Sequence, residues 1–117
     1  MTEDYTVLHY MVQNEISTEK EFNLQLIKGF LKENSYILKT QERERVYERR
    51  YLAYLVTHKL GYTRKLAGEI LGGKDQTTIV YAIKKHHEAI EVKDKMYRGI
   101  INELDKELEA FRKFGIN

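Results

Sequence analysis

Three observations predict an all-α fold, a multi-helical bundle that contains a helix-turn-helix. The 117 residues include no proline. No run of five or more residues sustains the β-branched alternation of a strand, and long stretches rich in Glu, Lys, Leu, Arg and Ala repeat their apolar positions at intervals of three and four. With 42% apolar residues the chain has material for one small core and so for one domain. The absence of cysteine excludes disulfides and thiolate metal sites. The acidic start MTEDYTV is neither a signal nor a transit peptide, and no apolar run approaches the ~20 residues that span a bilayer. A cytoplasmic protein without a membrane partner is the expectation.

Taken in order, Val7, Leu8, Met11 and Val12 mark a short amphipathic helix near 4–14. Thr18 and Glu21 form a capping box before the stripe Phe22, Leu26, Ile27, Phe30 and Leu31, which predicts a helix over 19–33. Asn34 and Ser35 end it, and Tyr36, Ile37 and Leu38 form a short apolar connector. From Thr40, taken as N-cap, a helix of about five turns runs to the stop at Gly61, burying Val46, Leu52 or Ala53, Val56 and Leu60. Tyr47, Tyr51 and Tyr54 share one side of it and read as packing residues rather than as a platform for stacked bases. Thr63 caps a short helix, RKLAGEIL, whose inner face is Leu66, Ala67, Ile70 and Leu71 and whose Gly68 admits a close neighbour. A further helix begins after Asp75, with a break near 92–94 and a last helix over 95–113 capped by Asp94. The charged outer face of that last helix suits solvent; a coiled-coil dimer through it is the alternative, and a monomer is favoured. Residues 1–35 are read as an N-terminal helical extension and 36–117 as the helix-turn-helix domain, together one compact unit.

The segment GGKDQTTIVYAIKKHH, residues 72–87, carries the functional signal. Gly72 or Gly73 ends one helix in the left-handed conformation, and Asp75 caps the next within about three residues. Ile79, Ala82, Ile83 and Ile90 then recur on the inner side, leaving Gln76, Thr77, Val80, Tyr81, Lys84 and Glu88 outward. An outer face that is short and polar at its start and basic beyond suits a recognition helix in the major groove.

The net charge of +2 is unevenly spread. Residues 1–35 hold three Lys/Arg against six Asp/Glu, whereas 36–65 hold eight against three. Arg43, Arg45, Arg49 and Arg50 form the basic cluster, which fits either a nucleic-acid face or a solvated helix face. Gly68 to Lys74 spells most of a phosphate-loop pattern, but Asp75 stands where a metal-binding hydroxyl is required. His86 and His87 are adjacent and diverge on a helix, so they do not share a metal, and His86 falls on the inner stripe. No nucleophile triad or carboxylate pair stands out, so neither enzyme activity nor a cofactor is expected.

GGKDQTTIVYAIKKH closely resembles the signature GGRDHTTVxxAxxKI of the C-terminal DNA-binding domain of the bacterial replication initiator DnaA, and a weaker likeness extends over residues 36–112. The resemblance implies an all-helical fold like that of the Trp repressor, with double-stranded DNA as partner. On that basis Lys74 stands at the family's arginine, Asp75 at its aspartate, and Thr77 and Thr78 at its paired threonines. Asp75 is expected to meet a cytosine or adenine amino group, and Thr77 and Val80 to touch thymine methyls. Arg50 matches a phosphate-holding residue of the long helix, and Tyr81 and Lys84 continue the same face. Gln76 replaces the family's base-reading histidine and suits a bidentate grip on adenine. Glu42 and Glu44 interrupt the basic run from which the family inserts an arginine into the minor groove, so that role falls to Arg43 or Arg45 only if the segment unwinds. The family's ATPase module has no counterpart in residues 1–35. The expectation is therefore a stand-alone relative, of the kind a phage or mobile element carries, that binds a site, represses or competes, with a replication or host protein as further partner. The alternative is a protein–protein interaction module that keeps the fold but has lost DNA binding.

Overall fold

In the computed structural model, which describes residues 15–114, five α-helices, a 3-10 turn and a π-type turn make up the regular structure of the described residues, with no strand among them. They are α1 (Glu15–Glu33), the 3-10 turn Ser35–Leu38, α2 (Arg43–Tyr54), α3 (Arg64–Ile70), α4 (Gln76–Glu91) and α5 (Lys95–Phe114). The helix expected near 4–14 lies outside the described residues.

α2 is the central rod: it packs against α3, α4, α5 and the 3-10 turn, and α1 closes the far side against α5. Leu52 and Ala53 on its apolar face, and Val56 in the turn that continues it, are completely out of solvent in one core with Ile37, Leu71, Ile79 and Leu104. Burial of each such Leu, Ile or Val stabilises by about 1.5–3 kcal/mol. The stripe Tyr97, Ile101, Leu104 and Leu108 of α5 is buried inside the same core, so it is not left over for a coiled coil. Phe111 meets Phe30 of α1 edge-on at 5.8 Å.

The expected break in the long C-terminal pattern is present. Lys93 takes a left-handed φ of 56°, and Asp94 Oδ1 accepts the Tyr97 N–H at 3.0 Å, restarting the helix as α5. Thr63 caps α3 by accepting the Leu66 N–H at 3.1 Å, and Gly61 reverses the chain before it at φ 77°.

Several local expectations shift. Thr18 lies inside α1 rather than at its cap. Leu26, Ile27, Phe30 and Leu31 of its expected stripe are buried, but Phe22 is 44% exposed and Leu24 is buried in addition. α2 begins at Arg43, not after Thr40, and Glu42 at its N-cap makes no side-chain capping bond. The entry is held instead by Arg49, whose guanidinium donates to the carbonyls of Ile37 at 2.7 Å and Thr40 at 2.8 Å and to Gln41 Oε1 at 3.3 Å. The end of α2 widens into a π-type turn over Leu55–Lys59, where Leu60 N–H reaches back to the Leu55 carbonyl. The Thr57 hydroxyl donates to the Ala53 carbonyl at 2.8 Å and so competes for an acceptor of the regular ladder. Ile90, assigned by spacing to the inner side of α4, is 40% exposed because the chain leaves the core at the break that follows.

Candidate nucleic-acid interface

The site is built from the turn between α3 and α4. Gly68 O accepts the N–H groups of both Gly73 and Lys74 at 2.9 Å, folding the chain back onto the helix it has just left. Gly72 and Gly73 hold φ values of 91° and 78°, which side chains rarely adopt. A Cβ at Gly68 would lie 2.0 Å from the Lys74 carbonyl oxygen, so a glycine is needed there for the approach.

Asp75 follows at the N-cap of α4 in extended backbone, and its Oδ1 accepts the Thr78 N–H at 2.8 Å. That backbone bond, with help from the Thr78 hydroxyl and the Thr77 N–H, holds the Asp75 carboxyl below its ordinary range. The carboxylate therefore stays charged and oriented at the start of the helix while remaining exposed. Gln76, Thr77, Thr78, Val80, Tyr81 and Lys84 are all exposed, Val80 at 42% and Tyr81 at 53%. On the opposite side Ile79 and Ile83 are buried. A large exposed valine and tyrosine on a helix whose other side is well packed form a surface that intramolecular packing leaves unused.

One flank of this face is a groove of about 180 Å³ that α2 and α4 enclose, lined by Gln41, Arg49, Arg50, Lys74, Thr78 and Tyr81 among others. No carboxylate lines it. The Arg50 guanidinium lies 5.4 Å from the Tyr47 ring centre and 6.0 Å from that of Tyr81, partly sheltered but without an anionic partner among the described residues. Arg50, Lys74, Thr78 and Tyr81 are thus brought together, and Lys84 lies further along the same helix.

Arg43 and Arg45 are placed elsewhere. Arg43 is exposed and directs an N–H toward the Met96 sulfur at 3.6 Å, beside the start of α5. Arg45 is held between Glu44 at 3.0 Å and Glu48 at 2.9 Å, with the Tyr36 ring 4.8 Å away. Glu48 is only 6% exposed; burial pushes its carboxyl up, and Arg45 draws it back down. Sequence reasoning missed the internal task of Arg49, the place of Gln41 in the groove, and Lys85, which lies 5.4 Å from the Tyr81 ring and pairs with Glu88 at 3.5 Å. For Arg49 the sequence carries no signal beyond its place in the basic cluster.

The chain matches no protein-family model, no curated protein and no solved structure in the three comparisons made. What the site can do is set by its own chemistry. Among the described residues no three His, Asp, Glu or Cys side chains converge to hold a metal ion, and no helix is long and apolar enough to cross a membrane. His86 has a structural place: its Nδ1 and the Tyr97 hydroxyl share a hydrogen bond of 2.7 Å, and its ring stacks on Tyr54 at 4.1 Å. Burial first, then the neighbouring His87 and His58, lower its pKa to about 4. The exposed groups of α4 and its flank offer amide, hydroxyl, methyl and cationic contacts, the set that hydrogen-bonds base edges and neutralises phosphate.

Proposed function

We propose that this chain binds double-stranded DNA sequence-specifically, laying the N-terminal half of α4 in the major groove. It works by binding rather than catalysis, as a relative of the DNA-binding domain of the initiator DnaA acting in replication or transcription control. The observation that carries this reading is the idle outer face of α4: Gln76, Thr77, Val80, Tyr81 and Lys84 stand exposed beside a carboxylate-free groove holding Arg50 and Lys74. A helix is about 10–12 Å across with its side chains, and the B-form major groove is about 12 Å wide, so such a rod fits with its first turns against base edges. Gln76 supplies a donor and an acceptor for adenine, Thr77 and Val80 supply methyl contact for thymine, and Asp75 accepts from cytosine or adenine. Arg50 and Lys74 hold phosphate and set the register.

Binding of the intact chain to a preferred duplex, compared with a scrambled one, tests the reading. Gln76→Ala with Thr77→Ala should cost about 1–3 kcal/mol on the preferred site and little on the scrambled one. Equal losses on both would remove the readout role. A protein–protein interaction module is the second reading, favoured by the inward engagement of Arg45 and by the exposed Glu42 and Glu44 beside it. It requires that no duplex be retained even at low salt.

A further inference from the structure

The second half of α4 and the end of α2 share a group of rings that the duplex-binding reading does not use. Tyr54 closes α2, His58 lies in the π-type turn Leu55–Lys59, and His86 and His87 lie in α4. Tyr54 is the hub. The His58 ring stacks on it at 5.6 Å with 16° between planes, the His86 ring stacks on it at 4.1 Å, and the His87 ring stands edge-on to it at 5.5 Å. His86 is buried and committed to the Tyr97 hydroxyl. His58 and His87 are exposed instead, their ring centres 5.4 Å apart and their planes 83° from each other. Neither takes part in an ion pair among the described residues.

This separation is the one that two ligands of a single ion require. With metal–nitrogen bonds of about 2.0–2.1 Å and an imidazole radius of about 1.2 Å, two rings on one tetrahedral ion have centres roughly 5.2 Å apart. The tetrahedral angle leaves each ring free to turn about its own metal–nitrogen bond, so perpendicular planes fit as well as parallel ones. Tyr54 touches both rings and limits their rotamers before any ion arrives, which lowers the entropy cost of bringing them together. The setting of His58 is a π-type turn, an irregularity that recurs at functional sites. No trio of ligands converges among the described residues, so the remaining positions fall to water. Neutral imidazole suits zinc, copper and nickel rather than calcium or magnesium, which prefer oxygen. Edge-on packing of two neutral rings has the same outline, but it takes up no ion.

We infer that His58 and His87 form a two-histidine site for a divalent transition-metal ion of the zinc, copper and nickel class. The ion ties the turn that ends α2 to the second half of α4, about two turns beyond Val80, and so fixes the seat of the helix that carries the outer face. The site goes beyond the duplex-binding reading and does not require it.

Calorimetric titration of zinc chloride into the intact, untagged chain tests the site, and no DNA enters the measurement. One zinc per chain is expected. His58→Gln and His87→Gln should each weaken binding by about tenfold or more, whereas His9→Gln, at the chain's remaining histidine outside the cluster, should leave it within about twofold. At free zinc tenfold above Kd the parent's unfolding midpoint should rise by about 3–6 °C, and that of the double variant His58→Gln with His87→Gln should stay where it is. Circular dichroism of the variants without zinc, matching the parent, separates loss of the site from loss of the fold. In nitrogen-resolved NMR spectra zinc should shift the ring nitrogens of His58 and His87 far more than those of His86. Absence of saturable zinc binding by the parent, or binding that both single variants and the double variant retain, would overturn the site. Zinc taken up only as two chains join, seen as a doubled mass in sedimentation, would overturn it too.

Discussion

Four arginines within eight residues of α2 and the cations around the start of α4 look alike in a charge count, yet the fold treats them differently. Arg45 is neutralised by Glu44 and Glu48, and Arg49 is occupied with the carbonyls of Ile37 and Thr40. Arg50, Lys74, Lys84, Arg64 and Lys65 face no carboxylate within an ion-pair distance among the described residues. Local charge excess measures how many cations a segment holds. What each faces depends on tertiary neighbours, and only the unmatched ones are available to phosphate.

The most severe way to disturb this division is to break the turn that brings the second group together. Gly68→Ala places a methyl carbon against the Lys74 carbonyl oxygen, and urea unfolding should show a loss of about 3 kcal/mol. A loss below about 0.5 kcal/mol would mean that the turn tolerates a wider path.

The inner side of α4 should make the stability of the fold depend on pH through His86. His86 is held to about 4 in the fold against an ordinary value near 6.5, so above pH 6.5 its burial carries no protonation cost. As pH falls from 6.5 toward 4 the unfolded chain takes the proton first, and stability should drop by an amount on the order of 2 kcal/mol. His86→Phe should flatten that part of the profile, at the expense of leaving the Tyr97 hydroxyl without its partner. An unchanged profile in the variant would place the pH sensitivity elsewhere.

Adjacent arginines give the sharpest contrast. Arg49→Ala should lower stability by about 1.5 kcal/mol, since the buried Ile37 loses a charged donor to its carbonyl, while sequence preference is retained. Arg50→Ala should change stability by less than about 0.5 kcal/mol, yet weaken binding to every duplex and make the salt slope shallower by about one. If the two variants behave alike in both assays, the division between fold-serving and free cations is lost.

The parts of the molecule legible in the sequence are those fixed within a few residues. Thr63, Asp75 and Asp94 cap helices because their side chains reach an N–H three positions on, and Gly61, Gly72 and Gly73 take the left-handed turns that suit them. The exposure of Gln76, Thr77, Val80 and Tyr81 followed from helical spacing alone. What spacing did not reveal depends on distant chain. Glu48 reads as a solvated residue until tertiary packing buries it, with Glu107 of α5 acting on its charge, and Arg49 reads as surface charge until the connector carbonyls turn toward it. Phe22 and Ile90 have the right spacing but stay 44% and 40% exposed.

The central claim is that the outer face of α4 distinguishes one DNA sequence from another. Repeated selection of random duplexes by the intact chain, read by sequencing, addresses it directly. The account expects a defined motif to be enriched, and that enrichment to collapse when Gln76 and Thr77 are both replaced by alanine. A population that stays flat through successive rounds at low salt would contradict it.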